Sequence, residues 1–520
     1  MLVLLGILAV FSFIFYLYGR FNDEKLCQLP PEAKSFSPER FTPELVCKAA
    51  QRFSESPVTV NNVLPPKTGR LYIVVGGAGF LGGWIVIQLL QRGEDPRRIR
   101  ILDIRPPTRP DLKTGDAQKV AFFQVDISDQ KAVSDAFQAP WPTSQNGTVP
   151  DSEEITVFHT AANIRFYERH IALLPRSSKV NCDGTRNVID AARSIGVTAL
   201  IYTSSGSISV RRSRFWLWPW ETQPQYFVQV LNDDDNLIPK RHDDFFSNYA
   251  ASKVLGERTV RAADKSSSGG KLLRTGCIRP GNGVFGPGGD ILCGAYLVRK
   301  HNPTWVGHTL QSFVYVENCA LSHLCYEQRL IELERGSTYP DIGGQAFTIT
   351  DTGPPVTFGD VHVALNTLDS ETVFPTFSTT AMLLVSQIIE ALYLSRIFLL
   401  QSSSFFNRVI ARLIPNITGD IVNLQPPLFA LTSVHLIFDD SRARLPPSQG
   451  GLGYNGPFTS LTGLCKTADE YFKAGRNGEE RSQAGGISFG FGLIRASRGV
   501  DKMQKKVNEQ LHVETVDVLN

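Results

Sequence analysis

Three features of the chain predict an α/β fold built on a doubly wound parallel sheet. Short β-branched runs recur along the sequence, helical-period stretches separate several of them, and the first run breaks at a glycine-rich turn that leads straight into a helix. Strands alternating with helices form a parallel sheet covered on both faces.

In chain order, the first apolar stretch, MLVLLGILAVFSFIFYLYGR, runs from Leu2 to Tyr18, near the short limit for spanning a bilayer. An uncleaved anchor over residues 1–19 is favoured over a signal peptide. The run is long and aromatic, nothing basic precedes it, and no small-x-small site follows. Arg20 and Lys25 come after it, which points the bulk of the chain to the cytosol. The sequons at Asn146 and Asn416 are then unused. Residues 20–68, polar and proline-containing, read as a tether ending in NNVLPPKTG.

The ordered domain then begins with RLYIVVGGAGFLGGWIVIQLLQRG, a strand, a turn and a helix closing on Gly93. IRILDI, VAFFQVDI, ITVFHTAA and ALIYTSS follow as further strands. Two insertions stand out: a polar loop from Gln138 to Glu154, and residues 211–246, which carry FWLWPW (Phe215 to Trp220). That aromatic cluster reads either as packed or as a lid or membrane wedge. Residues 69–285 thus form the expected dinucleotide-binding domain, and 286–475 a smaller substrate-binding region with an apolar, membrane-facing segment over 372–415. Within that segment, Gln387, Glu390 and Arg396 interrupt Ala381 to Leu400, so a surface or core helix is preferred to a second membrane pass. Residues 476–520 are rich in Gly, Ser and charge and are expected to be disordered.

Composition narrows the function. With 42% hydrophobic and 20% charged residues and a net charge of +3 over 520 residues, the chain reads as globular and not as a nucleic-acid binder. Eight cysteines without C-x-x-C spacing predict neither a zinc site nor a disulfide scaffold, and no metal is expected. A reducing environment fits; Cys27 and Cys47 would pair only in a luminal chain.

Gly76, Gly79 and Gly82 fall as G-x-x-G-x-x-G between the first strand and its helix, the turn at which a pyrophosphate meets backbone N–H groups in a Rossmann-type fold. Asp103, about twenty residues on, ends the second strand where a carboxylate binds a ribose 2′-hydroxyl and repels a 2′-phosphate. NAD is therefore expected; Arg105 keeps NADP in consideration. Asp126, after the third strand, reads equally as an adenine contact or as a helix N-terminal carboxylate. In SNYAASKVLGE, Tyr249 and Lys253 stand four apart, on one face of a helix.

The order of HTAA (His159 to Ala162), NCDGTRNV (Asn181 to Val188), YTSS (Tyr202 to Ser205), NYAASK and IRPGNGVFGPGGD (Ile278 to Asp290) resembles the extended short-chain dehydrogenase/reductase superfamily. GGAGFLG, LDIRPP, FGPGG, FVYVENCALSHL, GQAFTITD and LGYNGPF further resemble its 3β-hydroxysteroid dehydrogenase family, in particular the decarboxylating sterol-4α-carboxylate 3-dehydrogenase branch. The likeness covers about residues 70 to 475. Val75 departs from the threonine usual before the first glycine, the interval from Ser205 to Tyr249 is long, and RLPPSQGG is extra.

The resemblance implies that Tyr249 is the general acid/base, Lys253 its activator and a ribose ligand, and Ser205 the hydroxyl that orients the reacting oxygen, with Ser204 as rival. It makes Asn181 a holder of the helix backbone and of a relay water; a structural cap is the other reading. Phe80, Leu81, Ile127, Ala161, Ala162, Ser204 and Pro280 join the glycines, Asp103, Asp126, Tyr249 and Lys253 as cofactor contacts. Lowering a tyrosine from about 10 to about 7 requires roughly 4 kcal/mol of phenolate stabilisation, and a lysine ammonium and a nicotinamide cation have the right sign. The expected activity is NAD-dependent oxidation of a 3β-hydroxyl on a sterol, steroid or triterpenoid, with or without loss of a 4-carboxylate. A steroid dehydrogenase/isomerase, a nucleotide-sugar epimerase or reductase, and a dinucleotide sensor without turnover are the alternatives. Expected partners are a hydrophobic small molecule and a membrane, with a cytosolic catalytic domain on the endoplasmic reticulum and a homodimer left open.

Overall fold

The computed structural model describes residues 2–142, 153–290 and 292–475. The tail over 476–520 and most of the loop from Gln138 to Glu154, with its sequon at Asn146, lie outside the described residues.

Seven strands form the central parallel sheet: β1 (Leu71–Val75), β2 (Ile99–Asp103), β3 (Ala121–Gln124), β4 (Ile155–His159), β5 (Ala199–Thr203), β6 (Lys271–Pro280) and β7 (Gln345–Ile349). Their spatial order is β7-β6-β5-β4-β1-β2-β3, with the short strand Ser266–Ser268 antiparallel on β6. The order reverses between β1 and β4, and this crevice is where doubly wound sheets bind their ligands. Both faces are buried, as the apolar runs predict: Tyr72 and Val74 pack into one cluster with Phe158 and Ile201, while Ile73 and Val75 pack into the opposite one with Val157 and Leu200.

The insertion 211–246 is a structural part of a second unit. Its strand Val228–Leu231 pairs in parallel with His435–Phe438, which continues to Leu310–Gln311 and Val356–Thr357. The FWLWPW cluster divides: Phe215 and Leu217 enter the core, whereas Trp218 and Trp220 are exposed with their rings stacked 5.3 Å apart.

Residues 20–68 are not a polar tether. The first helix continues to Leu26, and Pro31–Phe36 and Pro43–Glu55 are helical. Leu26, Val46, Phe53 and Val60 are buried in the same core as Phe215 and Phe429. The physical reason is long-range. Asp360 accepts from Arg40 Nη1 at 2.6 Å and from the Phe41 backbone N–H at 2.7 Å, and Thr42 caps the third helix. Tyr18 donates to Leu217 O, and the Asn22 amide donates to Phe215 O and to Thr380 Oγ1.

The apolar segment forms helices Thr379–Gln401 and Phe405–Leu413. The first is long and apolar enough to cross a membrane by length and composition. Its charges are nonetheless satisfied within the protein: Glu390 pairs with Arg169, and Arg396 donates to the carbonyls of Ala411 and Ile414. All eight cysteines are free, Cys27 and Cys47 included.

Candidate functional site

The glycine turn lies at the C-terminal end of β1. Gly76 takes a left-handed φ of +83°, and a Cβ there would stand 2.6 Å from the Ala161 backbone N. A Cβ on Gly82 would stand 2.2 Å from Gly76 O. Gly79 is the N-cap of the helix Phe80–Gln91. The turn therefore leaves a cradle against the first-turn N–H groups of that helix, around Phe80 and Leu81, which have no intrahelical acceptor.

At the end of β2 the Asp103 carboxylate accepts from the backbone N–H groups of Ala78 (3.1 Å) and Arg105 (3.3 Å), which ties the acid to the turn. Burial raises its pKa above the ordinary carboxylate range, while those backbone donors pull it back. Asp126 is exposed beyond β3, and its carboxylate accepts from Ser128 N at 2.9 Å. The helix after it is capped by Asp129 instead, so the reading of Asp126 as a helix N-terminal carboxylate gives way to a turn-forming one. Ile127 is buried beside Gly184, and half-buried Ala161 and Ala162 follow β4, with Ala161 N donating to Val75 O. The cradle, the acid at the β2 end and the strand-end alanines surround the switch point between β1 and β4, and they fit a dinucleotide.

Tyr249 and Lys253 belong to the helix Asn248–Ala262, whose first turn is capped by Ser247. Lys253 is almost wholly enclosed; its Nζ donates to Thr203 O at 2.6 Å and stands 4.1 Å from the centre of the Tyr202 ring. Burial lowers its pKa to about 7. Tyr249 is partly buried, and burial pushes its phenol up to about 12 while the Ser205 hydroxyl beside it pulls the other way. Ser205 thus faces Tyr249, and its Oγ also meets Ser207 Oγ at 2.8 Å. Ser204 is buried, its backbone N bonded to Ile278 O, two residues before Pro280, the last residue of β6.

Asn181 sits in a π-helical turn, Lys179–Gly184. Its side chain accepts from Asn163 N (2.8 Å) and donates to Asn163 O (3.1 Å) and Ser252 Oγ (2.9 Å). The side chain ties the segment after β4 to Ser252 on the Tyr249 helix, through the Asn163 backbone on one side and a hydroxyl, not the helix backbone, on the other. The helix comes this near because Gly256 has no side chain: a Cβ there would lie 2.3 Å from Asn181 O.

Sequence reasoning missed Glu257, one further turn along the face of Tyr249 and Lys253. Glu257 receives Arg279 Nε at 3.0 Å and Nη2 at 2.5 Å, and Arg279 also reaches Asp235 of the insertion. Continuation of the four-residue spacing past Lys253 was the available signal. His159 is buried and donates to or accepts from Thr185 Oγ1 at 3.1 Å; burial, then the nearby Lys253, lowers its pKa to about 3, so it is neutral.

Known proteins share this architecture. A UDP-glucose 4-epimerase of Thermotoga maritima superposes with a TM-score of 0.50 at 17% identity, covering 78% of this chain and 99% of that one. An epimerase of Methanothermobacter thermautotrophicus gives 0.50 at 16% identity, covering 81% and 97%. These likenesses concern the fold. In sequence, the chain is 30% identical over 302 residues to 3beta-hydroxysteroid-dehydrogenase/decarboxylase isoform 2 of Arabidopsis thaliana, over 55% of this chain and 46% of that protein. It is 29% identical over 290 residues to the decarboxylating sterol-4-alpha-carboxylate 3-dehydrogenase of Candida albicans, over 54% and 70%. The match to the Arabidopsis isoform thus spans under half of that relative's length. The pattern of the 3-beta hydroxysteroid dehydrogenase/isomerase family matches residues 73–372, more than half of the 520, including the glycine turn, Asp103, Ser205, Tyr249 and Lys253. The chain belongs to the 3-beta hydroxysteroid dehydrogenase/isomerase family, on a dinucleotide-binding Rossmann fold.

Proposed function

We propose that the protein oxidises the 3β-hydroxyl of a sterol, steroid or triterpenoid with NAD, and that a substrate bearing a 4-carboxylate also loses it. The observation that carries this reading is Ser205 beside Tyr249, with Lys253 one turn on and locked to the end of β5. Asp103 at the β2 end supports NAD over NADP, because a carboxylate there repels a 2′-phosphate. The names of the decarboxylating sterol relatives support the substrate class.

In this mechanism Ser205 and Tyr249 hold the substrate oxygen between them, and Tyr249 takes its proton. Lys253, protonated, stabilises the phenolate form of Tyr249 that accepts that proton. NAD, when bound, supplies the hydride acceptor. The new ketone is β to the carboxylate, so the electron pair of the C4–carboxyl bond passes into an enolate as carbon dioxide leaves, and the enolate is then protonated.

The reading includes action at the cytosolic face of a membrane, with the endoplasmic reticulum as the expected site. Exposed Phe13, Ile14 and Leu17 on the first helix support it. The test is a substrate screen with the full chain in detergent, following NADH and released carbon dioxide. Carboxysterols, 3β-hydroxysteroids and triterpenoid alcohols are compared with a nucleotide sugar. NADH without carbon dioxide from every carboxylated substrate removes the decarboxylation; turnover of the nucleotide sugar alone overturns the whole reading.

A further inference from the structure

A cavity of about 870 Å³ lies away from the dinucleotide turn, and Ser205, Tyr249 and Lys253 do not line it. Arg211, Arg212, Lys240 and Arg241 of the insertion form one wall, and Leu383 and Gln387 of the helix Thr379–Gln401 another. Two further cations at its edge are already neutralised. Arg169 holds Glu390 with two hydrogen bonds of 2.6 and 2.5 Å, and Arg214 holds Glu221. The four wall cations have no carboxylate within ion-pair distance among the described residues; Arg211 rests on the Tyr226 ring, 5.3 Å from its centre. Asp243 and Asp244 are the acids on the wall, so positive charge is in excess.

Two features define the missing anion. Guanidinium groups present planar forks that match phosphate oxygens, and several around one cavity suit a phosphate better than a lone carboxylate. The two elements that wall the cavity also expose apolar surface. Leu384, Val385 and Ile388, next in the chain to the wall residues Leu383 and Gln387, are exposed, and Trp220 of the insertion is 75% exposed. A free phosphate gains nothing from such a surface, whereas an amphiphile covers it.

We propose that this cavity binds the phosphate-bearing headgroup of an anionic phospholipid, whose acyl chains lie along the exposed face of Thr379–Gln401 and past Trp218 and Trp220. The site is distinct from the dinucleotide turn and does not depend on which alcohol the enzyme oxidises.

The test is calorimetric titration of the full chain in neutral detergent with dihexanoyl phosphatidylglycerol, dihexanoyl phosphatidylcholine and inorganic phosphate. The anionic lipid is expected to bind saturably and at least about tenfold tighter than either comparator, and added salt weakens it. The exposed pair Arg212→Gln with Arg241→Gln is expected to lose about tenfold or more in that affinity while NAD affinity, the measure of intact folding, stays unchanged. Equal affinity for phosphatidylcholine overturns the proposal, as does inorganic phosphate binding as tightly as the lipid, which marks a soluble phosphorylated ligand. An anionic-lipid affinity untouched by the double variant, or a variant that changes only the KM for a carboxylated substrate, overturns it equally.

Discussion

Glu257 and Arg279 face each other through two hydrogen bonds, of 3.0 and 2.5 Å, both side chains closed off from solvent. One belongs to the helix of Tyr249 and Lys253, the other to β6, and Arg279 extends to Asp235 in the insertion. Removing one partner takes from a buried charge its doubly bonded counter-ion and leaves only the weaker contacts to Asp235 or Arg261. Glu257→Gln and Arg279→Met are each expected to cost about 3–5 kcal/mol, seen as a loss of roughly 10 °C in calorimetric Tm. The double variant Glu257→Leu with Arg279→Met recovers much of that loss, because it removes both charges.

The glycine turn makes a sharper demand. In Gly82→Ala the new methyl meets Gly76 O at 2.2 Å, and this neighbour is backbone that cannot swing aside. The turn must open, and NAD affinity measured by titration is expected to fall at least about tenfold, with little change in Tm. Unchanged affinity would show that the turn does not carry the pyrophosphate.

Lys253 sets activity against stability. Its pKa of about 7 in the fold lies below the ordinary value near 10.4, so between these limits the unfolded chain holds more protons and stability rises with pH. The cost of burying the charge is complete below pH 7 and relieved above it. Lys253→Met is therefore expected to lose turnover by about 10²-fold or more. Its Tm gains on the parent most at pH 6 and least near pH 10.

Acid acts through other groups. Burial lowers His159 and His362 to about 3, and His308, His323 and His435 to about 4. Near pH 5 these five are neutral in the fold and charged when unfolded. Asp351 and Asp290, raised by burial to about 7 and about 6, work in the opposite sense, protonated in the fold and ionised when unfolded. Five uptakes against two releases leave about three protons bound on unfolding, so stability falls as pH drops from 6.5 towards 4. Tm against pH, or calorimetry in buffers of different ionisation enthalpy, measures that number; zero uptake at pH 5 contradicts it.

Much of the site was legible because its parts are contiguous. Gly76, Gly79, Gly82 and Asp103 follow from one strand, turn, helix and strand, and Tyr249 and Lys253 from one helical turn. Less legible was whatever depends on chain brought from far away. Val46, Phe53 and Val60 are sparse apolar residues in a polar stretch, and only the core around Phe429 and the carboxylate of Asp360 give their helices something to pack on. Arg279 reads as an ordinary strand residue until Glu257 and Asp235 converge on it. Asn181 reads in sequence either as a holder of the helix backbone and a relay water or as a cap, since a π-helical turn has no signature in composition.

The first helix does not hang from the body by a leash. Tyr18 and Asn22, one turn apart, bond to Leu217, Phe215 and Thr380, so a single seam grips the helix from one side. Each residue added inside that turn rotates everything N-terminal to it by about 100°. An insertion between Tyr18 and Asn22 would therefore not lengthen a stalk; it would tear the seam and twist Phe13, Ile14 and Leu17 to a new bearing around the molecule.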